Sequence, residues 1–91
     1  MNYFVYVIRS LKVGRFYVGQ TTNVPERLKE HNRGIVRSTK SRRPWQVIHT
    51  EEFHTRREAI KREYFLKSPS GWQDLKSIKE RGRGFPEGIT S

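Results

Sequence analysis

The sequence predicts a single small α/β domain, and three observations carry that reading. Two runs rich in β-branched and aromatic residues, 3–9 and 15–19, flank a short turn. A third run of the same character covers residues 45–53. Two helix-start signatures complete the pattern, Asn23-Val-Pro-Glu26 and Thr55-Arg-Arg-Glu58, each a capping residue with a glutamate three positions later.

The first two runs form the hairpin that organises the rest. Leu11, Lys12, Val13 and Gly14 lie between them, with Gly14 as the natural turn residue. Placing Ile8 opposite Arg15 sets Tyr6 against Tyr17, Val5 against Val18 and Val7 against Phe16. Side chains alternate faces along a strand, so Val5, Val7, Phe16 and Val18 make one apolar face. The other face carries two phenols beside Gly19, which has the look of the floor of a site. The plain structural reading is an aromatic pair that stabilises the hairpin by several tenths of a kcal/mol, within the range of roughly 0.2–1 kcal/mol for such pairs.

After Gly19, Asn23 is a good N-cap, Pro25 is tolerated in the first turn, and a helix over residues 24–31 follows. Asn32 and Gly34 can end it. Val24 and Leu28 mark its inner face, and Arg27 and His31, four apart, share a stripe that can point back at the hairpin. Residues 35–44 contain Arg37, Lys40, Arg42 and Arg43, no acid, and the hydroxyls Ser38, Thr39 and Ser41. We read them as a mobile cationic loop suited to phosphate contact, against the plainer reading of a solvated surface.

The run from Trp45 to Phe53 supplies a third strand. Thr55 then caps a helix over residues 56–67 whose apolar side is Ala59, Ile60, Tyr64, Phe65 and Leu66. Glu58–Arg62 and Glu63–Lys67 are favourably oriented pairs one turn apart. Glu63 borders the buried stripe, where a carboxylate is costly unless paired, hydrogen-bonded or bound to a metal. An ion pair with Lys67 and simple exposure at the edge of the stripe are the structural alternatives. Ser70 caps a last short helix with Trp72, Leu75 and Ile78 on the packing side. Residues 1–81 are expected to form the domain, and 82–91, with glycines and little to bury, a disordered tail.

Composition narrows the function. Ninety-one residues are read as one domain with one modest core, burying roughly 60–65% of the unfolded surface. Nineteen Lys and Arg against nine Asp and Glu give a net charge of +10, which points to a polyanion, nucleic acid first. No apolar run spans a bilayer and no signal-peptide pattern opens the chain, so a cytoplasmic protein acting away from membranes is expected. The absence of cysteine excludes a disulfide framework and thiolate chemistry. His49 and His54 lack the companions of a closed zinc site. Asp74 is the only aspartate, which leaves little support for Ser/His/Asp catalysis.

Taken together and in order, Phe4-Val5-Tyr6, Tyr17-Val18-Gly19, Arg27 and His31 on a helix, and Glu63 in a Glu-Ala-x-x-x-Glu helix resemble the GIY-YIG nuclease domain. The family includes the N-terminal domain of a bacterial excision-repair nuclease, certain homing endonucleases and small stand-alone bacterial proteins, and this chain is most similar to the last group. The resemblance covers about residues 2–67. It implies a three-stranded antiparallel sheet flanked by helices, and metal-dependent hydrolysis of DNA phosphodiesters with one divalent cation, Mg²⁺ or Mn²⁺, in repair or recombination. Tyr17 would match the tyrosine that acts on the attacking water and Tyr6 its partner. Arg27 would match the arginine on the scissile phosphate, His31 a group assisting proton transfer, and Glu63 the carboxylate holding the cation. Arg37, Lys40, Arg42 and Arg43 would contact nucleic acid. The sequence departs from the pattern in its first triplet, in Gln20 where some members have lysine, and in having no Asn after Asn32. The alternatives are a nucleic-acid-binding module of the same fold with weak or no catalysis, and a partner-dependent nuclease whose specificity is supplied by another protein.

Overall fold

The computed structural model describes residues 1–83. Among them are three strands, β1 (Tyr3–Ser10), β2 (Phe16–Thr21) and β3 (Trp45–Phe53), and three helices, α1 (Val24–Arg33), α2 (Arg56–Lys67) and α3 (Trp72–Arg83). The strands form one antiparallel sheet in the order β2-β1-β3, with β1 in the middle. The architecture is therefore the expected small α/β domain with a three-stranded antiparallel sheet.

The hairpin register differs from the expected one. Tyr6 pairs with Gly19 and Ile8 with Tyr17, a slip of two residues. The cause lies in Ser10. Its amide bonds the Arg15 carbonyl at 2.9 Å, and its hydroxyl accepts the amides of Lys12 and Val13 at 3.1 and 3.0 Å, so the chain folds back at once. A slip of one residue exchanges the faces of a strand, whereas a slip of two preserves them. Val5, Val7, Phe16 and Val18 thus still share the core face, joined by Ile48, Ala59, Leu66 and Ile78. Tyr6 and Tyr17 still share the other, with Ile8, Trp45, Val24 and Leu28. A register shift between Val7 and Ile8 makes Ile48 the extra residue of β3.

Helix α2 carries the expected capping box, with the Thr55 hydroxyl on the Glu58 amide and the Glu58 carboxylate on the Thr55 amide. Its inward stripe is not the expected one. Ala59 and Leu66 are buried, but Tyr64 is 72% exposed and Phe65 also faces solvent. Arg62 turns inward instead, because Glu51 of β3 and Asp74 of α3 both reach it, at 2.7 and 3.0 Å. The expected Glu58–Arg62 pair gives way to this network, and Glu58 serves the cap. Burial alone would raise the Glu51 carboxyl, but hydrogen bonds from Arg62 and His49 outweigh it and hold the group below its usual range.

Helix α3 follows a 3₁₀ turn at Pro69–Gly71. Leu75 and Ile78 pack on the core, whereas Trp72 is exposed beneath the Lys76 ammonium. Gly82 and Arg83 continue α3; the rest of the expected tail lies outside the described residues. No helix among the described residues is long and apolar enough to cross a membrane.

Candidate active site

The site is built on β1. Tyr6 is 1% exposed, and its ring lies over Gly19 of β2. A Cβ on Gly19 would stand 2.6 Å from the phenol oxygen and 2.7 Å from the ring carbon that bears it. The missing side chain is therefore what admits the ring. Tyr17 is two pairs along the hairpin, with its centroid 6.4 Å from that of Tyr6.

Helix α1 closes over this face. The Asn23 side chain accepts the Glu26 amide at 3.1 Å, Pro25 occupies the first turn, and Gly34, at φ 83°, caps the end in the left-handed region that favours glycine. Val24 and Leu28 pack on the sheet, and this turns Arg27 and His31 toward the phenols. The His31 ring stands edge-on to both, at 5.8 Å from Tyr6 and 5.2 Å from Tyr17. Its Nε2 is 2.8 Å from the Tyr6 oxygen. Its Nδ1 is 2.7 Å from the Thr39 hydroxyl. The Arg27 charge acts on the Tyr6 phenol, and its guanidinium pairs with Glu30 at 2.7 Å. On its solvent side Arg27 lines a cleft of about 260 Å³ with Gln20, Thr21, Thr22, Glu30 and Arg56.

This packing sets the charge states. Burial pushes the Tyr6 phenol up to about 12, although the nearby Arg27 guanidinium works against it. Burial, reinforced by the positive charge of Arg27, pushes His31 down to about 4. Near pH 7 both groups are uncharged.

Glu63 joins from α2. Its side chain is 21% exposed, and Oε2 is 2.7 Å from the Lys67 ammonium, the pair expected one turn apart. Lys67 in turn lies 5.6 Å over the Tyr17 ring, and the Glu63 charge is among those felt by the Tyr6 phenol. The structure thus brings Tyr6, Tyr17 and His31 into direct contact, with the charge of Arg27 acting on Tyr6 and His31 and Glu63 tied in through Lys67. Among the described residues no three His, Asp or Glu side chains gather as a metal cluster. His49 is engaged with Glu51 at 2.8 Å.

The basic segment is more ordered than an open loop. It folds through turns into a 3₁₀ turn, Lys40–Arg42, and the Ser10 hydroxyl anchors it at the Arg42 carbonyl, 2.7 Å away. Arg37, Lys40 and Arg43 are exposed and Arg42 is half-buried. Arg43 lies against Gly34, where its cation complements the negative end of the α1 dipole. Thr39 is the exception to the expected surface of hydroxyls, since it is 1% exposed and faces His31. Its carbonyl accepts the Trp45 indole at 3.0 Å, and Asn32 of α1 bonds both backbone groups of Trp45. Sequence reasoning missed Thr39, Asn32 and Lys67 as supports of the site. Of these only Lys67 left a signal, its spacing from Glu63.

Comparison with known proteins places the chain in a family. Residues 2–75 match the model of the GIY-YIG catalytic domain. The chain is 41% identical over 81 residues to the UPF0213 protein SH2523 of Staphylococcus haemolyticus, covering 88% of this chain and 98% of that one. It is 38% identical over the same length to a UPF0213 protein of Staphylococcus aureus, with the same shares covered. The solution structure of the UPF0213 protein BH0048 from Bacillus halodurans superimposes with a TM-score of 0.51 at 34% identity, covering 87% of this chain and 86% of that one. The chain belongs to the GIY-YIG catalytic-domain family, whose members are nuclease-type domains.

Proposed function

We propose that this chain is an endonuclease that hydrolyses DNA phosphodiesters with one divalent cation held by Glu63. The observation that supports it most is the gathering of Tyr17, Arg27 and Glu63 around the buried Tyr6–His31 pair in a chain matched to the family over residues 2–75. Tyr17, half-buried where Tyr6 is enclosed, is the phenol that water can reach, and it orients the attacking water. Arg27 binds a phosphate oxygen from the cleft side, where its charge meets the negative charge that grows in the transition state. Glu30 holds Arg27, and His31 holds Tyr6.

The donor chemistry at Glu63 fits a sparsely held cation. An oxygen ligand that is partly exposed and already neutralised by an ammonium can exchange that ammonium for a hydrated Mg²⁺ or Mn²⁺, ions that keep most of their waters. When bound, the cation would supply Lewis-acid stabilisation of the phosphoryl oxygens.

The second reading is a nucleic-acid-binding module without catalysis. The Lys67–Glu63 contact and the net charge of +10 favour it, because both are compatible with binding alone. Labelled duplex, branched and single-stranded DNA, incubated with Mg²⁺, Mn²⁺ or EDTA, separates the two. The nuclease reading expects cleavage that EDTA stops and that Glu63→Gln abolishes while metal-free DNA affinity stays within about twofold. It also expects Arg27→Ala to reduce cleavage more than affinity. Equal cleavage by wild type and Glu63→Gln, or no cleavage of any substrate by wild type, overturns it.

A further inference from the structure

Three polar side chains, Tyr6, His31 and Thr39, run in series through the interior with at most 1% exposure each, so no solvent satisfies them. Every donor and acceptor in the series must therefore be met from within. The Thr39 hydroxyl is 2.7 Å from His31 Nδ1 and 3.3 Å from the Val36 carbonyl. A carbonyl only accepts, so the hydroxyl proton goes to Val36 and the oxygen keeps a lone pair for Nδ1. His31 Nδ1 must then carry a proton, and Nε2, bare in the neutral ring, accepts the Tyr6 O–H at 2.8 Å. The lone pairs of the Tyr6 oxygen remain open to the positive charge of Arg27.

The opposite assignment fails this accounting. With Thr39 donating to Nδ1, the proton sits on Nε2 and is given to the Tyr6 oxygen. The phenol proton would then be buried with no acceptor in the series, which forfeits its hydration with nothing in return. We infer that Thr39 is a positioning residue that fixes His31 as the Nδ1–H tautomer and so aims the Tyr6 proton at Nε2.

The position of Thr39 itself is over-determined. Its amide bonds the Val36 carbonyl at 3.1 Å, and its carbonyl takes the Arg42 amide at 3.1 Å and the Trp45 indole at 3.0 Å. The hydroxyl is thus presented by a folded segment and not by a free loop. The catalytic consequence rests on the proposed nuclease reading; the tautomer does not, and it is measured without turnover.

The test is ring ¹⁵N spectroscopy of uniformly labelled protein near pH 7, on wild type, Thr39→Val and Thr39→Ser, with cleavage and DNA affinity measured alongside. Wild type is expected to show a protonated Nδ1 and a bare Nε2 at His31. Thr39→Val keeps the shape but removes the acceptor. The ratio of Nδ1–H to Nε2–H is expected to fall about tenfold or more. Cleavage should fall with it while DNA affinity is retained, and Thr39→Ser should restore both the ratio and the rate. An Nε2–H tautomer in wild type overturns the inference outright, and this spectrum decides even if Thr39→Val does not fold. An unchanged ratio in folded Thr39→Val overturns it as well. A wild type that shows Nδ1–H but cleaves nothing leaves the tautomer assignment upheld and removes the nuclease reading instead.

Discussion

Replacing Gly19 by alanine tests the floor of the site in a single methyl group. The added carbon would stand 2.6 Å from the Tyr6 oxygen and 2.7 Å from its ring carbon, where ordinary contact lies near 3.5–4.0 Å. The ring must retreat by most of an ångström. It has little room to do so, being 1% exposed, and its hydroxyl is tied to His31 at 2.8 Å. Overpacking of this kind costs about 1–3 kcal/mol. Losing the bond to a buried imidazole adds about 1–3 kcal/mol. Against this, alanine is better than glycine in a strand by roughly 0.5–1 kcal/mol. The net expectation is a destabilisation of about 2–4 kcal/mol, a large share of the roughly 5–15 kcal/mol typical of a domain. Urea titrations of wild type, Gly19→Ala, Tyr6→Phe and the double variant measure it. The methyl group should cost less in the Tyr6→Phe background, where the oxygen and its bond are already gone, giving a coupling of about 1 kcal/mol or more. If Gly19→Ala is neutral and the cycle additive, the ring has freedom that the packing denies, and the account of Gly19 is wrong.

Two further expectations concern charge. His31 takes a proton near 6.5 when unfolded but only near 4 when folded, so between those values the unfolded state binds more protons. Stability should therefore rise with pH across this window and be lost as pH falls through it, by about 3 kcal/mol in all. Denaturant titrations at pH 7.5 and 4.5 check this, with His31→Gln as the reference; equal pH dependence in the two proteins would remove His31 as the cause. DNA affinity should fall steeply with salt, and changing Arg37, Lys40, Arg42 and Arg43 to glutamine should flatten the slope by up to about 0.9 for each phosphate deprived of its cation. An unaltered slope would place the DNA-binding surface elsewhere.

What the sequence made legible follows how local each cause is. The two tyrosines fall on one face because strand alternation is a property of neighbouring residues, and a slip of two leaves it intact. Arg27 and His31 align because α1 is bounded by its own residues, Asn23 and Gly34. The register itself was not legible, since it depends on the side chain of Ser10 closing the turn. Nor was the inward turn of Arg62. Its partners Glu51 and Asp74 belong to other elements, and a pattern read along α2 sees only an arginine where an apolar residue would do. Thr39 stands in the sequence as one more hydroxyl among cations. Its burial is imposed by Trp45 and His31, which approach it from opposite sides in sequence.

The place of β1 between β2 and β3 has a consequence for how the site fails. A strand bonded on both edges exchanges its amide hydrogens only when the sheet comes apart, which in so small a domain is close to complete unfolding. Tyr6 therefore has no partly open state of its own in which to drift. The anvil of the site shares the lifetime of the whole fold, and α1 and the basic segment are tied to it through His31 and Thr39. Loss of the site by slow fraying is thus replaced by a single cooperative event, and a chain that has kept its sheet has kept its phenol in place.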